Sequence, residues 1–162
     1  MATADLLIRD AADGDAAGLI ALIGGCFADY PGCVLDVDGE IPELRAIATA
    51  FAARDGRFWV AEMAGRVVGC IGVAPSGGGV ELLKLYVDGA ARGRGLGARL
   101  VGLVESEAQR RGAGVVELWT DTRFAHAHRL YERLGYRRLP ETRALGDLSN
   151  SVEYHYRKTP SR

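Results

Sequence analysis

The chain has 162 residues, 48% hydrophobic and 25% charged, with a formal net charge of -1; this is ordinary globular composition, long enough to bury a real core, and a single domain over residues 1–162 is the default. Cys26, Cys33 and Cys70 form no CxxC pair and have no histidine nearby, so neither a disulfide framework nor a zinc site is suggested, and a reducing, cytoplasmic setting fits best. Met1 to Arg9 is too short and polar for a secretory signal, and no apolar run approaches the ~18 residues that a membrane span needs, so a soluble protein with no membrane partner is expected.

Leu6-Leu7-Ile8 reads as a first strand, and Leu19, Leu22, Ile23 and Phe27 then recur at helical spacing up to Pro31-Gly32. Pro42 opens a second helix whose apolar face is Leu44, Ile47, Ala48 and Phe51, closed by Gly56. Phe58 to Ala61 and Val67 to Val73 are β-rich runs separated by Ala64-Gly65, the pattern of an antiparallel hairpin. Pro75 to Gly79 reads as a flexible turn before the strand Val80 to Val87. Leu96, Leu100, Leu103, Val104 and Ala108 mark an amphipathic helix ending at Gly112, with Arg110 and Arg111 suiting its negative C-terminus. Val115 to Thr120 follows as a strand, Ala125 to Leu134 as a short helix stopped by Gly135, and Val152 to Tyr156 as a strand of a late hairpin. The order β-α-α-β-β-β-α-β-α-β-β contains one βαβ unit, over residues 80–120. It predicts an α/β chain of the α+β type: a mixed, mostly antiparallel sheet with one central parallel pair, flanked by helices.

Charge is divided unevenly: residues 1–80 hold 5 Lys/Arg against 11 Asp/Glu, and residues 81–162 hold 15 against 10. The second half favours an anionic ligand. No basic tract is interleaved with aromatics, so no nucleic-acid partner is expected. Arg92-Gly93-Arg94-Gly95-Leu96-Gly97, between a strand end and a helix start, offers backbone N–H groups at the positive end of a helix dipole, with arginines for charge-assisted contacts. Read alone, this turn also fits a plain glycine-rich connection with surface arginines. It fits a dinucleotide fingerprint too, as Gly93-Arg94-Gly95-Leu96-Gly97-Ala98 matches G-x-G-x-x-A and Asp121 follows the next strand. Against the dinucleotide, Asp88 to Arg92 separates the strand end from the glycines, and the hairpin upstream replaces the further βαβ units such a sheet needs. No Lys-Ser or Lys-Thr follows the glycines, as a P-loop requires.

Three segments together, Leu83-Lys84-Leu85-Tyr86-Val87, then Arg92 to Gly97, then Ala127-His128-Arg129-Leu130-Tyr131-Glu132-Arg133-Leu134-Gly135-Tyr136, resemble the GNAT superfamily of acyl-CoA-dependent N-acetyltransferases. The glycine turn matches that family's R/Q-x-x-G-x-G/A signature, and the last segment its "LYeklGF". In element order the resemblance runs from Leu6 to Lys158, and at motif level from Glu81 to Tyr136. It implies acetyl-CoA as cosubstrate, no metal, and a coenzyme arm lying between the splayed parallel strands. The main chain of Leu85, Tyr86 and Val87 would then hold the pantetheine, and the amides of Arg92, Gly93, Arg94, Gly95, Leu96, Gly97 and Ala98 the pyrophosphate. The family often has Asn five residues before the tyrosine, where this chain has His126, which places His126 beside the pantetheine.

The reaction implied is transfer of an acetyl group to a primary amine of a small molecule or peptide, by direct attack in a ternary complex. A non-catalytic acyl-CoA-binding module of the same fold is the alternative. Glu81, eleven residues before Arg92, is the candidate base by resemblance, and alternation puts it on the face of Leu83, Leu85 and Val87. Tyr131 is the candidate acid for the leaving thiolate by resemblance; it shares a helical stripe with Ala127, Leu130 and Leu134. His126 and His128 point to different sides of a helix, which argues against a shared metal and for surface positions, although either could serve as an alternative base. The acceptor would sit against the first two helices and the late hairpin, near the acidic Asp36, Asp38, Glu40 and Glu43, with Trp59, Ser149 and Asn150 as further candidates. A homodimer is compatible with all of this.

Overall fold

The computed structural model describes residues 5–160. Seven strands, β1 (Leu6–Asp10), β2 (Arg57–Met63), β3 (Arg66–Ser76), β4 (Gly79–Val87), β5 (Val116–Asp121), β6 (Arg137–Ala144) and β7 (Val152–Lys158), form one sheet in the order β1-β2-β3-β4-β5-β7-β6. All neighbours are antiparallel except β4 and β5, which makes the mixed sheet that the order of elements predicts. The helices are α1 (Ala16–Ala28), α2 (Val37–Glu40), α3 (Ile47–Ala53), α4 (Leu96–Arg110) and α5 (Ala125–Arg133).

Alternation along β2 divides the core between the two faces of the sheet. Phe58 and Val60 pack with Leu19, Leu22, Ile23, Leu44, Ile47 and Phe51 of the α1 and α3 region. Trp59 and Ala61 face the other way, into a cluster with Leu96, Leu100, Val101 and Val104 of α4 and Tyr131 of α5. Each such aliphatic or aromatic side chain contributes about 1.5–3 kcal/mol on burial, so these stripes are what bind the helices to the sheet. Glu107 is buried on α4 at 4% exposure, where hydrogen bonds from Arg110 and Arg111 hold its carboxyl down to about 2 and Arg57 stands 3.5 Å away. Arg110 and Arg111 therefore clamp a carboxylate as well as facing the helix dipole.

Connections differ from expectation in three places. Ala64 and Gly65 both have positive φ (53° and 74°), as a two-residue hairpin turn needs, but the expected flexible turn over Pro75 to Gly79 is only Gly77-Gly78, because β3 continues through Ser76 and β4 starts at Gly79. A turn of helix, α2, precedes Pro42; the Asp36 carboxylate caps it, accepting from Gly39 N–H at 3.1 Å. Pro42–Ala46 is a 3-10 turn, and the α-helix proper starts only at Ile47. The late hairpin's first strand, β6, is the polar, mostly exposed RRLPETRA segment at the sheet edge, and Pro140 falls where its register with β7 shifts.

Candidate active site

β4 and β5 share only two rungs, Val80↔Val116 and Glu81↔Glu117. Beyond them β4 runs to Val87 and β5 to Asp121 without pairing, and the facing backbone edge of β4 is left open. A bulge lies on the same stretch. Cys70 opposes Tyr86 but Gly72 opposes Leu83, and Lys84 takes up the extra residue in a left-handed conformation (φ 54°). That conformation costs a non-glycine residue about 1–2 kcal/mol. It is offset by the Lys84–Glu43 ion pair at 2.9 Å and by the buried Cys70 thiol, which donates to the Lys84 carbonyl at 3.2 Å.

The bulge overturns the simple alternation read along this strand. Leu85 and Val87 join Val80 and Leu82 on the α4 face, while Leu83 and Tyr86 pack on the α1 face. Glu81 lies on the latter side, so its companions are Leu83 and Tyr86 rather than Leu85 and Val87. An insertion that shows only in the pairing with β3 has turned the second half of the strand over.

Two cavities meet at the splay and share Tyr86 and Phe124 in their walls. The smaller, of about 400 Å³, is lined by Leu85, Tyr86 and Val87 of β4, by Arg92, Gly93 and Gly95–Ala98 of the glycine turn, and by His126, Ala127 and Leu130 at α5. Gly93 and Gly95 have φ of 80° and 72°, and nothing lies within 4 Å of where a Cβ would stand on either, so the turn is an open cradle. The amides of Leu96, Gly97 and Ala98 open the fifteen-residue α4 and lack helical partners. Gly97 has a different reason to be glycine: a Cβ there would come within 2.9 Å of Leu130 Cδ2, so its smallness lets α5 pack on α4. Arg92 borders the cavity, but Arg94 turns away and its guanidinium meets Met63 Sδ at 3.6 Å.

The larger cavity, of about 520 Å³, is bounded by α1, α2, the β4–β5 splay and the β6–β7 hairpin. Glu81 lines it, and burial pushes its carboxyl above the ordinary value, with Arg143 opposing the shift and Glu117 adding to it. Of the predicted acidic group, Asp36 and Glu40 line the cavity. Asp38 is exposed and paired with Arg45 at 3.1 Å, and Glu43 is taken by Lys84. Ser149 also lines it, and its hydroxyl bonds both Val34 N and Val34 O. Asn150 does not line it, and Trp59 is buried on the opposite face beneath Arg57. Sequence reasoning missed Trp119, Arg143 and Glu153, and singled out Asp121 only for the dinucleotide reading; their places in the wall depend on how β5, β6 and β7 pair.

Tyr131 is 4% exposed, its ring 5.9 Å from Tyr136 and 5.8 Å from Tyr156, and burial raises its phenol well above the usual range. It lines neither cavity; Tyr86 is the tyrosine at their junction. His126 is exposed at the smaller cavity and its Nδ1 accepts from Arg129 at 2.9 Å. His128 does point to another side, but it is half-buried rather than superficial: Nε2 bonds the Asp121 carbonyl at 2.9 Å and the ring packs on Tyr154 and Tyr156, with burial lowering its proton affinity. Cys26, Cys33 and Cys70 are free thiols. Among the described residues no helix is long and apolar enough to cross a membrane.

The family model described as Acetyltransferase (GNAT) family matches residues 26–136. The chain belongs to the GNAT family. Within it, a probable N-acetyltransferase family 8 member 5 of Mus musculus is 32% identical over 123 residues, covering 72% of this chain and 52% of that protein. N-acetylaspartate synthetase of Danio rerio is 38% identical over 87 residues, 52% of this chain and 31% of that protein. IAA acetyltransferase of Azospirillum brasilense is 37% identical over 87 residues, covering 52% and 57%. The chain thus spans about a third to three fifths of the length of these relatives. Among solved GNAT structures, an acetyltransferase from Staphylococcus aureus Mu50 superposes with a TM-score of 0.82 at 21% identity, covering 97% of this chain and 100% of that one. PaiA N-acetyltransferase of Thermoplasma acidophilum, solved with coenzyme A, gives 0.76 at 16% identity, covering 96% and 99%. At such identities the likeness is one of fold.

Proposed function

We propose that this chain, as one domain, is an N-acetyltransferase that moves an acetyl group from acetyl-CoA to a primary amine of a small molecule or peptide by direct attack in a ternary complex. The observation that carries the reading is the meeting of two cavities at the β4–β5 splay, with the glycine cradle on one side and Glu81 on the other. Acetyl-CoA would supply an acyl group activated as a thioester. The residues fit it: the open β4 edge at Leu85 to Val87 suits a pantetheine arm that adds as a strand, and the amides from Gly93 to Ala98 with Arg92 suit a pyrophosphate.

On the acceptor side, an alkylammonium of pKa ~10 must lose a proton before it attacks. Glu81 is the base that takes it. Its carboxylate faces the cavity and, among the described residues, makes no hydrogen bond or ion pair of its own. For the departing thiolate, resemblance gives Tyr131 as the acid, its phenol kept protonated by burial, while position gives Tyr86, which stands where the two cavities meet. Thiol release from acetyl-CoA, screened over amines, amino acids, antibiotics and peptides, tests the whole reading. Tight coenzyme binding without acyl transfer to any of them would leave the non-catalytic module instead.

Arg92→Ala is expected to weaken coenzyme A binding by about 10- to 100-fold, the range for one or two charge-assisted hydrogen bonds. Arg94→Ala should cost far less, since its side chain lies against Met63. Calorimetry giving wild-type affinity for Arg92→Ala would remove the pyrophosphate assignment. Tyr131→Phe is expected to lower kcat by at least about tenfold with KM little changed. If Tyr86→Phe has that effect and Tyr131→Phe does not, the acid is the tyrosine at the junction of the cavities.

A further inference from the structure

The last rung of the parallel pair sets two carboxylates side by side. Glu81 and Glu117 are register partners on neighbouring parallel strands, so their side chains leave the same face roughly 4.8 Å apart at the backbone. Their surroundings differ. Glu81 is unbonded and faces the larger cavity; Glu117 does not line it and is held on both oxygens. Ser76 Oγ donates to Glu117 Oε1 at 2.6 Å, while His155 Nε2 stands 3.2 Å from Oε2.

His155 is in turn fixed. It is 8% exposed, lies flat against Trp119 (4.2 Å between centroids, 3° between planes), and its Nδ1 meets Glu141 Oε1 at 2.5 Å. A ring nitrogen faces a carboxylate on either side, and only the imidazolium satisfies both with donated hydrogen bonds. The Arg143 guanidinium also lies over Trp119, 4.3 Å from the ring centre, and is paired with Glu153 at 2.7 Å. Among the described residues no group of three or more His, Cys, Asp or Glu is arranged to hold a metal, so the cluster is read as an ionic one.

We propose that Glu117 is a positioning residue that sets how firmly Glu81 holds a proton, and that His155, backed by Glu141, is the counter-ion held against Glu117 on its far side. This rests on the reading of Glu81 as the base. A fixed negative neighbour makes the free carboxylate a better proton acceptor, and a fixed cation behind that neighbour limits the effect. The charged groups around Glu81 are Glu117 from β5, Arg143 from β6, Glu153 from β7 and Arg54 at the end of α3; those facing His155 are Glu117 and Glu141. Removing Glu117 and removing His155 must therefore move Glu81 in opposite directions, which a merely structural role would not do.

The test needs no acceptor. In the full chain labelled with 13C at glutamate Cδ, the Glu81 carboxyl resonance is assigned by its loss in Glu81→Gln and titrated. In Glu117→Gln its midpoint should fall by about one pH unit, the size of effect a close like charge exerts. In His155→Gln it should rise. Glu141→Gln, at an edge-strand position 57% exposed and so safe for folding, removes a charge farther from Glu81 and should move its midpoint much less than Glu117→Gln does. An unmoved midpoint in Glu117→Gln, shifts of the same sign in Glu117→Gln and His155→Gln, or a larger shift in Glu141→Gln than in Glu117→Gln, overturns the proposal. The base assignment fails separately, if Glu81→Gln retains wild-type turnover in the thiol-release assay.

Discussion

Glu81→Gln is expected to lower kcat/KM by about 100- to 1000-fold at neutral pH, the range for loss of a positioned general base. The amide is nearly isosteric and sits where the carboxylate makes no bond of its own, so folding and coenzyme affinity should survive, and calorimetry would check that they do. The pH profile gives a second readout. Desolvation pushes the carboxyl above the ordinary carboxylate value, with Arg143 too weak to cancel it, so protonation disables the base at a pH higher than about 4.3, the value for a free glutamate. Activity should therefore fall on the acid side through a limb displaced upward, and that limb should vanish in Glu81→Gln. Wild-type turnover in the variant would end the assignment.

Gly79→Ala is expected to destabilise the fold by about 3 kcal/mol, the size associated with overpacking in a rigid core. A Cβ there would stand 2.2 Å from the Val115 carbonyl oxygen, the same oxygen that accepts from Val80 N–H at 2.9 Å. Backbone cannot rotate aside as a side chain can, so the overlap must be relieved by separating β4 from β5 at the only rungs they share. A loss of this size lowers Tm by about 6–12 °C in a domain of this length. Gly78→Ala, one residue earlier in an open turn, should change stability by less than about 0.5 kcal/mol and serves as control. Equal melting temperatures for the two variants would show that the strands yield at this point. A drop in coenzyme affinity in Gly79→Ala alone would tie the rung to the shape of the cleft.

Local patterns made the elements and the glycine cradle readable. Leu96, Leu100 and Val104 mark α4 because a helix bound to a sheet must carry an apolar stripe, and Gly93 and Gly95 mark the turn because their positive φ suits no other residue so well. The acidic group shows the limit. Four carboxylates lie within eight residues, yet Asp36 and Glu40 reach the larger cavity while Arg45 and Lys84 claim Asp38 and Glu43. Charge in a sequence does not tell which partner will arrive. Strand β6 carries no alternating pattern because, at the sheet edge, nearly all its side chains are exposed and neither face needs to be apolar.

By itself the sequence determined the order of the elements, the family and the two motifs, since each depends on spacing within a few residues of chain. Only the tertiary structure decided which face of β4 carries Leu85 and Val87, because the bulge at Lys84 exists in the register with β3 and nowhere in the alternation of β4. It alone brought Glu117, His155 and Ser76 together behind Glu81, for those contacts cross from β3 through β5 to β7. Pairing between strands is a long-range choice, made by the packing of the whole sheet.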